Sequence, residues 1–329
     1  MFIFTNRTML AVQGLAAGAA LLMAGQGSVQ AQQYPSKPIR MLVGQASGGG
    51  TDLVARVIGD KLRDNLKQPV IVDNRPGAAG MIASKAGAEA APDGYTLLVA
   101  GMSSTVSPSL YKAVPYDAVN GVQAIAPLMS FPFVIVVNNK TPASNLKEFI
   151  EFVKKNAAGL NVATGGATTT VTAELFSQMV GTTKFTFIPF NGSAPAVVSV
   201  ISGDSHAMFS DLPSAAAQVK SGAVRAIATS GDRRFALAPD IPTAKESGMP
   251  DFVVSSWYGL FGPAKMPMDI VNLLNAQMRG IVNQPDVAQK FAGMGGEPWV
   301  DSVEGFSRTY QNDLARWKKV IVQGKIPLL

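Results

Sequence analysis

The chain has no cysteine and a single histidine among its 329 residues. The first absence excludes a disulfide framework, thiolate chemistry and zinc-finger spacing. The second means that a Ser-His-Asp triad would have to be built around His206, which sits in Asp204-Ser-His-Ala-Met-Phe209 and reads as a structural or surface residue at a strand entry. There is no G-x-S-x-G elbow, no His-rich metal spacing and no lysine placed for a Schiff base. The omissions argue against an enzyme, and no cofactor is expected. Charges are scattered without a basic run, and the formal charge of +6 is far short of a nucleic-acid footprint.

Long apolar runs are also missing beyond the N-terminus, where no later segment offers about 18 consecutive apolar residues. Arg7 is the sole charged side chain before an apolar stretch from Met9 to Ala24, followed by small and polar residues ending Val29-Gln30-Ala31. This pattern predicts a secretory signal over residues 1–31, cleaved after Ala31, and hence export. The alternative, a retained anchor, is disfavoured because the run is short and interrupted by Gly and Gln.

Glycine is present where it carries information. Ile39-Arg-Met-Leu-Val-Gly-Gln-Ala-Ser-Gly-Gly-Gly-Thr-Asp52 reads as strand, tight loop and helix start. The helix from Thr51 to Leu66 would offer unpaired N–H groups and a partial positive charge of roughly +0.5. Two readings stay open for this loop, an anion cradle or a turn that merely connects packed elements. A P-loop is excluded because no Gly-Lys-Ser/Thr follows Gly49, and a dinucleotide fingerprint because Leu53 stands where the third glycine belongs.

Short Val/Leu/Ile-rich runs alternate with helical patterns along the rest of the chain. Strands are predicted at Met41–Gly44, Val70–Asp73, Thr96–Ala100, Phe133–Val137, Asn161–Thr164, Lys184–Pro189, His206–Phe209 and Arg225–Thr229. Helices are predicted at Ala79–Ala91, Ser144–Asn156, Thr168–Val180, Ala194–Ile201, Pro213–Ser221, Pro267–Asn283 and Val303–Val322. The alternation implies parallel sheets with helices on both faces. Three further loops, Ala100-Gly-Met-Ser-Ser-Thr105, Ala163-Thr-Gly-Gly-Ala-Thr168 and Phe190-Asn-Gly-Ser-Ala-Pro195, repeat the Gly/Ser/Thr chemistry of the first at predicted carboxyl ends of strands. Such ends line the ligand crevice of open α/β sheets, so four loops suggest two half-sites facing one cleft.

The order Tyr34-Pro-x-x-Pro-Ile-Arg40, Gly48-Gly-Gly-Thr-Asp52, Val72-Asp-Asn-Arg-Pro-Gly77, Ala91-Pro-Asp-Gly-Tyr-Thr-Leu97 and Pro115-Tyr-Asp117 resembles the tripartite tricarboxylate transporter substrate-binding proteins, the Bug receptors. Ala163-Thr-Gly-Gly166, Pro189-Phe-Asn-Gly-Ser-Ala-Pro195, Met208-Phe-Ser-Asp-Leu-Pro-Ser214, Ser256-Trp-Tyr-Gly-Leu260 and Ala315-Arg-Trp317 continue the resemblance to the end of the chain. It implies an α/β Venus flytrap of the type II periplasmic-binding-protein kind, with two α/β lobes and a hinge of crossing strands. Lobe 1 would be residues 32–131 and 255–329, and lobe 2 residues 132–254, with the hinge near Ser130–Phe133 and Val254–Trp257.

The resemblance also implies a small carboxylate ligand, delivery to the inner-membrane subunits of the transporter, and a monomer by default. Its ligand-binding positions map onto Gln45, Ala46, Ser47, Gly48, Gly49, Thr51, Ser103 and Ser104 on one side. Thr164, Gly165, Gly166, Ala167, Thr168, Asn191, Gly192 and Ser193 face them from the other. Asp211 would either accept a ligand amine or hydroxyl or cap the helix after Pro213. Asp52 reads more as a helix-dipole partner than as a ligand contact. Trp257 and Tyr258 would wall the cleft or pack at the hinge. Gln45, Phe190 and the order Ser210-Asp211 depart from the family pattern, which leaves the ligand open between a dicarboxylate, an aromatic acid and an amino acid. Two other functions compete: a periplasmic sensor presenting its ligand to a signalling partner, and an enzyme using Asp211 or Asp52 as a base.

Overall fold

The computed structural model describes residues 34–156, 159–181, 185–190 and 192–329, so the signal-peptide expectation for residues 1–31 and the site expectation for Asn191 lie outside the described residues. Buried aliphatic runs form the strands β1 (Ile39–Val43), β2 (Val70–Asn74) and β3 (Thr96–Gly101), joined through helices α1 (Gly50–Leu66) and α2 (Met81–Ala88). In α1, Val54, Ala55, Ile58 and Leu62 recur at helical spacing and are buried against the sheet. The helix stops where Lys67 turns into the left-handed region and its N–H reaches the Arg63 carbonyl. The small residues of α2 let it lie close to the sheet: a Cβ on Gly87 would be 3.2 Å from the Leu98 Cβ. β1 pairs in parallel with both β2 and β3.

A helix α3 (Ser103–Leu110) follows β3, where the sequence reads as a loop. Then β4 runs without a break from Val122 to Val137, far beyond the expected Phe133 start. The chain continues through α4 (Leu146–Asn156), β5 (Asn161–Thr164), α5 (Ala167–Val180), β6 (Thr186–Pro189), α6 (Ser193–Ser202), β7 (Ala207–Asp211), α7 (Leu212–Lys220) and β8 (Arg225–Thr229). It closes with β9 (Ser255–Pro263), α8 (Met268–Val282), α9 (Pro285–Gly293), the short β10 (Glu297–Pro298) and α10 (Val303–Gly324).

The strands lie in the order β2-β1-β3-β9-β4-β7-β5-β6, with β8 and β10 also paired to β4. The expectation of purely parallel sheets is corrected here. β2-β1-β3 and β7-β5-β6 are parallel triplets, but β9 is antiparallel to both β3 and β4, and β4 is antiparallel to β7 and β8. The reason is the chain's route. β9 pairs with β3 and β4, and β4 with β7 and β8, all distant in the chain, so no single strand-helix-strand unit joins the partners and fixes a parallel sense.

β4 changes partners along its length. Val122–Pro132 pairs with β9, whereas Phe133–Val137 pairs with β7 and β8. Ser230, 1% exposed, fastens the change-over point. Its hydroxyl accepts the Phe133 N–H at 2.9 Å and donates to the Val254 carbonyl, while its own N–H and C=O bond Phe133 O and Val254 N, each at 2.8 Å. Aromatic packing buttresses both sides. Phe176 contacts Phe209 and Phe252 with ring centroids 5.0 and 5.4 Å away, and α10 lays Phe306 and Tyr310 against Trp257 and Phe261 of β9.

Ser230→Ala leaves the Phe133 N–H buried without its acceptor, so it should cost about 1–3 kcal/mol in urea unfolding. A loss below about 0.5 kcal/mol, the range of an ordinary surface change, would show that the hydroxyl does not hold the two strands together.

Candidate ligand-binding site

A cavity of about 350 Å³ opens where the carboxyl ends of β1, β2, β3 and β5 meet the first turns of the helices that follow them, within the range of small-metabolite sites. Gly44 and Gln45 come from the loop after β1, Gly77, Ala79 and Gly80 from the turn after β2, and Leu98–Gly101 from β3. Thr51 of α1, Met81 and Ser84 of α2, Ser103, Ser104 and Ser107 of α3 and Tyr116 complete one side, and Gly165, Gly166, Ala167 and Thr168 the other. None of these lining residues carries a charge.

Of the expected site residues, Gln45, Thr51, Ser103, Ser104, Gly165, Gly166, Ala167 and Thr168 share this cavity. Ala46, Ser47, Gly48, Gly49, Thr164, Gly192, Ser193 and Asp211 do not line it. The first loop explains its own part of that division. Gly48 N–H donates to Asp52 Oδ2 at 2.8 Å, Gly49 N–H to the Ala46 carbonyl at 3.1 Å and Thr51 N–H to Gln45 Oε1 at 2.9 Å. These three amides are engaged within the loop, and Gln45 acts as its internal acceptor.

Asp52 is the post on which the loop is tied. Its side chain is 1% exposed and accepts from Gly48 N–H, from Asn74 Nδ2 at 2.8 Å and from Arg56, whose guanidinium lies 2.9 Å from Oδ1. Burial alone would push this carboxyl up, but the hydrogen bonds from Arg56, Gly48 and Asn74 together outweigh it and hold it below the usual value. Asn74 also donates to the Gln45 carbonyl at 3.0 Å, so the end of β2 is bound to the same loop. Asp52 therefore serves the loop rather than facing the cavity, in line with the preferred reading.

Tyr258 on β9 stands against the start of α1. A Cβ on Gly50 would lie 2.4 Å from the Tyr258 hydroxyl, so glycine is needed there for space. Burial pushes this phenol up to about 12, the nearby Asp211 carboxylate adds to the push, and hydrogen bonding with Thr51 opposes it. Trp257 is buried and donates its indole N–H to Asp313 at 2.8 Å, which makes it a packing residue of β9 and not a wall of the cavity.

On the opposite side, Gly166 precedes α5 with φ of 148°, a conformation that favours glycine. No side chain caps α5 or α3, so their leading N–H groups at Ala167, Thr168, Ser103 and Ser104 stand at the cavity wall with the positive ends of the helix dipoles. Backbone meets backbone behind them: a Cβ on Gly165 would be 2.5 Å from Ser193 N. Asp211 is the N-cap residue of α7, and its carboxylate accepts from the Ser193 and Ser214 hydroxyls. It thus braces the loop behind Gly165. His206 accepts the Asn161 N–H on Nδ1 at 3.1 Å, the structural role expected of it.

The turn after β2, together with Ser84, Ser107 and Tyr116, was not anticipated. A Cβ on Gly44 would fall 2.6 Å from the Gly80 Cα, so those two backbones touch. The signal available in the sequence was indirect: Ser103 and Ser107 stand four apart, on one helical face once α3 is known to be a helix.

Asp52→Ala should lower stability by about 1–3 kcal/mol at neutral pH, since it unties the loop and leaves buried donors unmet while half-exposed Arg56 remains solvated. The folded carboxyl is held below its unfolded value of about 3.9, so its contribution is complete above about pH 4 and disappears as the pH falls through the lowered folded value. Chemical denaturation of both proteins between pH 7 and 2.5 checks this, and a gap that widens on acidification would contradict the assignment.

The family described as tripartite tricarboxylate transporter family receptor matches residues 54–326. BugT of Bordetella pertussis is 33% identical over 89% of this chain and 91% of its own. MatC from Rhodopseudomonas palustris, solved with bound malate, is 29% identical with a TM-score of 0.72, covering 88% of this chain and all of its own. A second R. palustris protein, solved with adipate, is 27% identical with a TM-score of 0.76, covering 90% of this chain and all of its own. The chain belongs to the tripartite tricarboxylate transporter receptors, the periplasmic solute-binding proteins that include the Bug receptors.

Proposed function

We propose that this chain captures a small carboxylate in the periplasm and presents it to the membrane subunits of a tripartite tricarboxylate transporter, without chemical turnover. The observation that carries the reading is the uncharged cavity between two uncapped helix starts, Ser103–Ser104 of α3 and Ala167–Thr168 of α5. An anion there receives fixed N–H donors and two helix dipoles, and no lysine or arginine needs to be desolvated beside it. Malate and adipate in the two R. palustris relatives fit the same chemistry.

In this reading the flytrap has lobes at residues 32–131 with 255–329 and at 132–254. β4 and β9 cross between them, and closure brings Gln45, Thr51, Ser103 and Ser104 onto one face of the ligand and Gly165–Thr168 onto the other. Ala46, Ser47, Gly48, Gly49, Thr164, Gly192, Ser193 and Asp211 frame these contacts from behind. A ligand that touches both faces favours the closed form by its differential affinity.

The test is a thermal-shift and calorimetric screen against mono- and dicarboxylates, aromatic acids and acidic amino acids. Ligand at 100 times its dissociation constant should stabilise the protein by about 2.7 kcal/mol and be recovered unchanged. Ala167→Pro sharpens the assignment, because proline is accepted at the first position of a helix but removes one N–H donor. It should weaken carboxylate binding by about tenfold or more, as expected for a hydrogen bond to a charged group, while the unliganded melting temperature holds. Undiminished affinity would remove α5 from the site.

A further inference from the structure

α3 borders two cavities. Ser103, Ser104 and Ser107 line the ligand cavity, while Pro108 and Ser109 at the far end of the helix belong to a separate groove of about 730 Å³. The opposite wall of that groove is one stripe of α10, where Leu314, Lys318, Ile321 and Val322 recur at helical spacing, followed by Lys325 and Leu328. Lys112 and Val119 close it from the loop after α3. Hydrogen bonds fix these walls: the Leu329 N–H donates to the Leu110 carbonyl at 2.9 Å, the Lys112 N–H to the Leu329 carbonyl at 3.0 Å, and the Gln311 side chain to the Val119 carbonyl at 3.0 Å. The apolar lining therefore stays open. Leu314 and Ile321 form a buried floor, but Val322 is 67% exposed and Val119 and Leu328 about half. Exposed apolar side chains gathered in one place and rimmed by charge mark an interaction surface.

The rim charge has one sign. Lys112, Lys318 and Lys325 line the groove, no Asp or Glu does, and among the described residues none of the three lysines forms an ion pair. An apolar partner without carboxylates would strip water from these ammonium groups and give nothing back, whereas a partner with acidic residues beside its apolar ones meets both demands. Lys318 and Lys325 stand two turns apart on α10, about 10 Å, which matches carboxylates at a similar spacing along an amphipathic helix. A second copy of this chain is disfavoured by like charge, since the whole chain carries +6. A flat lipid surface reaches the lysine rim but not the floor at Leu314 and Ile321.

We infer that this groove of lobe 1 docks an acidic, amphipathic segment of the transporter's membrane subunits. This rests on the delivery reading above and gives it a surface. The place also suits a partner that must sense closure. Beyond the groove, α10 accepts a hydrogen bond from Gln178 of α5 on the Val320 carbonyl at 2.9 Å. A segment seated there touches the helix that offers Ser103 and Ser104 to the ligand and the helix that packs against α5, whose start forms the other cavity wall.

Because the chain has no cysteine, Val322→Cys provides a single attachment point for a benzophenone crosslinker, and Ile71→Cys on the edge strand β2 provides a half-exposed control. Each labelled receptor is irradiated with proteoliposomes of the cognate membrane subunits and with protein-free vesicles of the same anionic lipid, and binding is read separately by flotation. The Val322 label should join a membrane subunit at least tenfold more than the Ile71 label, at a peptide in which mass spectrometry finds Asp or Glu among apolar residues. The Lys112→Glu, Lys318→Glu, Lys325→Glu triple variant should cut that yield tenfold or more with its melting temperature held, and raising salt from about 0.05 to 0.5 M should lower the yield of the native rim. Adducts chiefly with lipid or with a second receptor, a peptide without carboxylates, or a yield indifferent to charge reversal would overturn the docking groove. Flotation with the subunits but no adduct from Val322 would remove the groove and leave the delivery reading standing. No flotation with the subunits at all would bring down the delivery reading and this inference with it.

Discussion

The antiparallel pairing of β4 with β9 is the constraint on which the site depends. The parallel triplets β2-β1-β3 and β7-β5-β6 hang on either side of that pair, and in each triplet the helices start from the carboxyl ends of the strands. A parallel triplet alone produces one row of helix starts along one edge. The central pair turns the second row toward the first, so that Gly101–Ser104 and Gly165–Thr168 share a cavity although their loops lie on separate triplets. The Ser230 hydroxyl acts where this arrangement is most vulnerable, at the residue where β4 exchanges β9 for β7 and β8.

Charge is kept out of the cavity and put to structural use beside it. The carboxylate nearest to the first loop, Asp52, is spent on the Gly48 N–H, Arg56 and Asn74, and Gln45 satisfies Thr51. One wall is thereby rigid and internally complete before any ligand arrives. The α5 wall is different, because its leading N–H groups have no side-chain cap. Partial charges fixed on backbone need no reorganisation when an anion binds, whereas a buried lysine would need a counter-charge throughout the unliganded state. The first loop supplies shape, and the uncapped starts of α3 and α5 supply donors from either side.

Much of this was legible in the sequence, for identifiable reasons. Val54, Ile58 and Leu62 announce α1 by their spacing, and the ordered Gly/Ser/Thr loops announce the helix starts. β4 was seen only from Phe133 because Pro127 and Pro132 interrupt the apolar run, yet the strand tolerates both while paired to β9. The Gly- and Ser-rich stretch Ala100–Thr105 reads as a loop, yet tertiary packing of Val106 and Leu110 carries α3 through it despite Pro108 inside the helix. Strand direction is legible where strands alternate with helices, in the two parallel triplets, but not for β4 and β9, since a run of apolar residues looks the same whichever way its neighbour points. Within the site, glycines are conspicuous in the sequence, but the internal partners of Gly48 and Gly49, the Asp52 carboxylate and the Ala46 carbonyl, are not. Ser84 and Ser107 were inconspicuous because a serine inside a helix carries no local mark of what it faces.

That contrast bears on how such a receptor chooses its ligand. The donors at the helix starts are backbone groups, which substitution barely alters, so any chain with this fold can offer a carboxyl much the same reception. Discrimination must then come from side chains further in, where an N–H or O–H left unmatched penalises the wrong ligand more heavily than a missing methylene does. The R. palustris relatives solved with malate and adipate hold acids with a carboxyl at each end. In this chain the side chains one helical turn beyond the helix starts, Ser84 and Ser107, are neutral hydroxyls, and Asp52 and Arg56 beside the first loop are paired with each other. Under the proposed function, backbone donors at the helix starts receive the carboxyl, and the neutral side chains of Ser84, Ser107 and Tyr116 border the rest of the cavity.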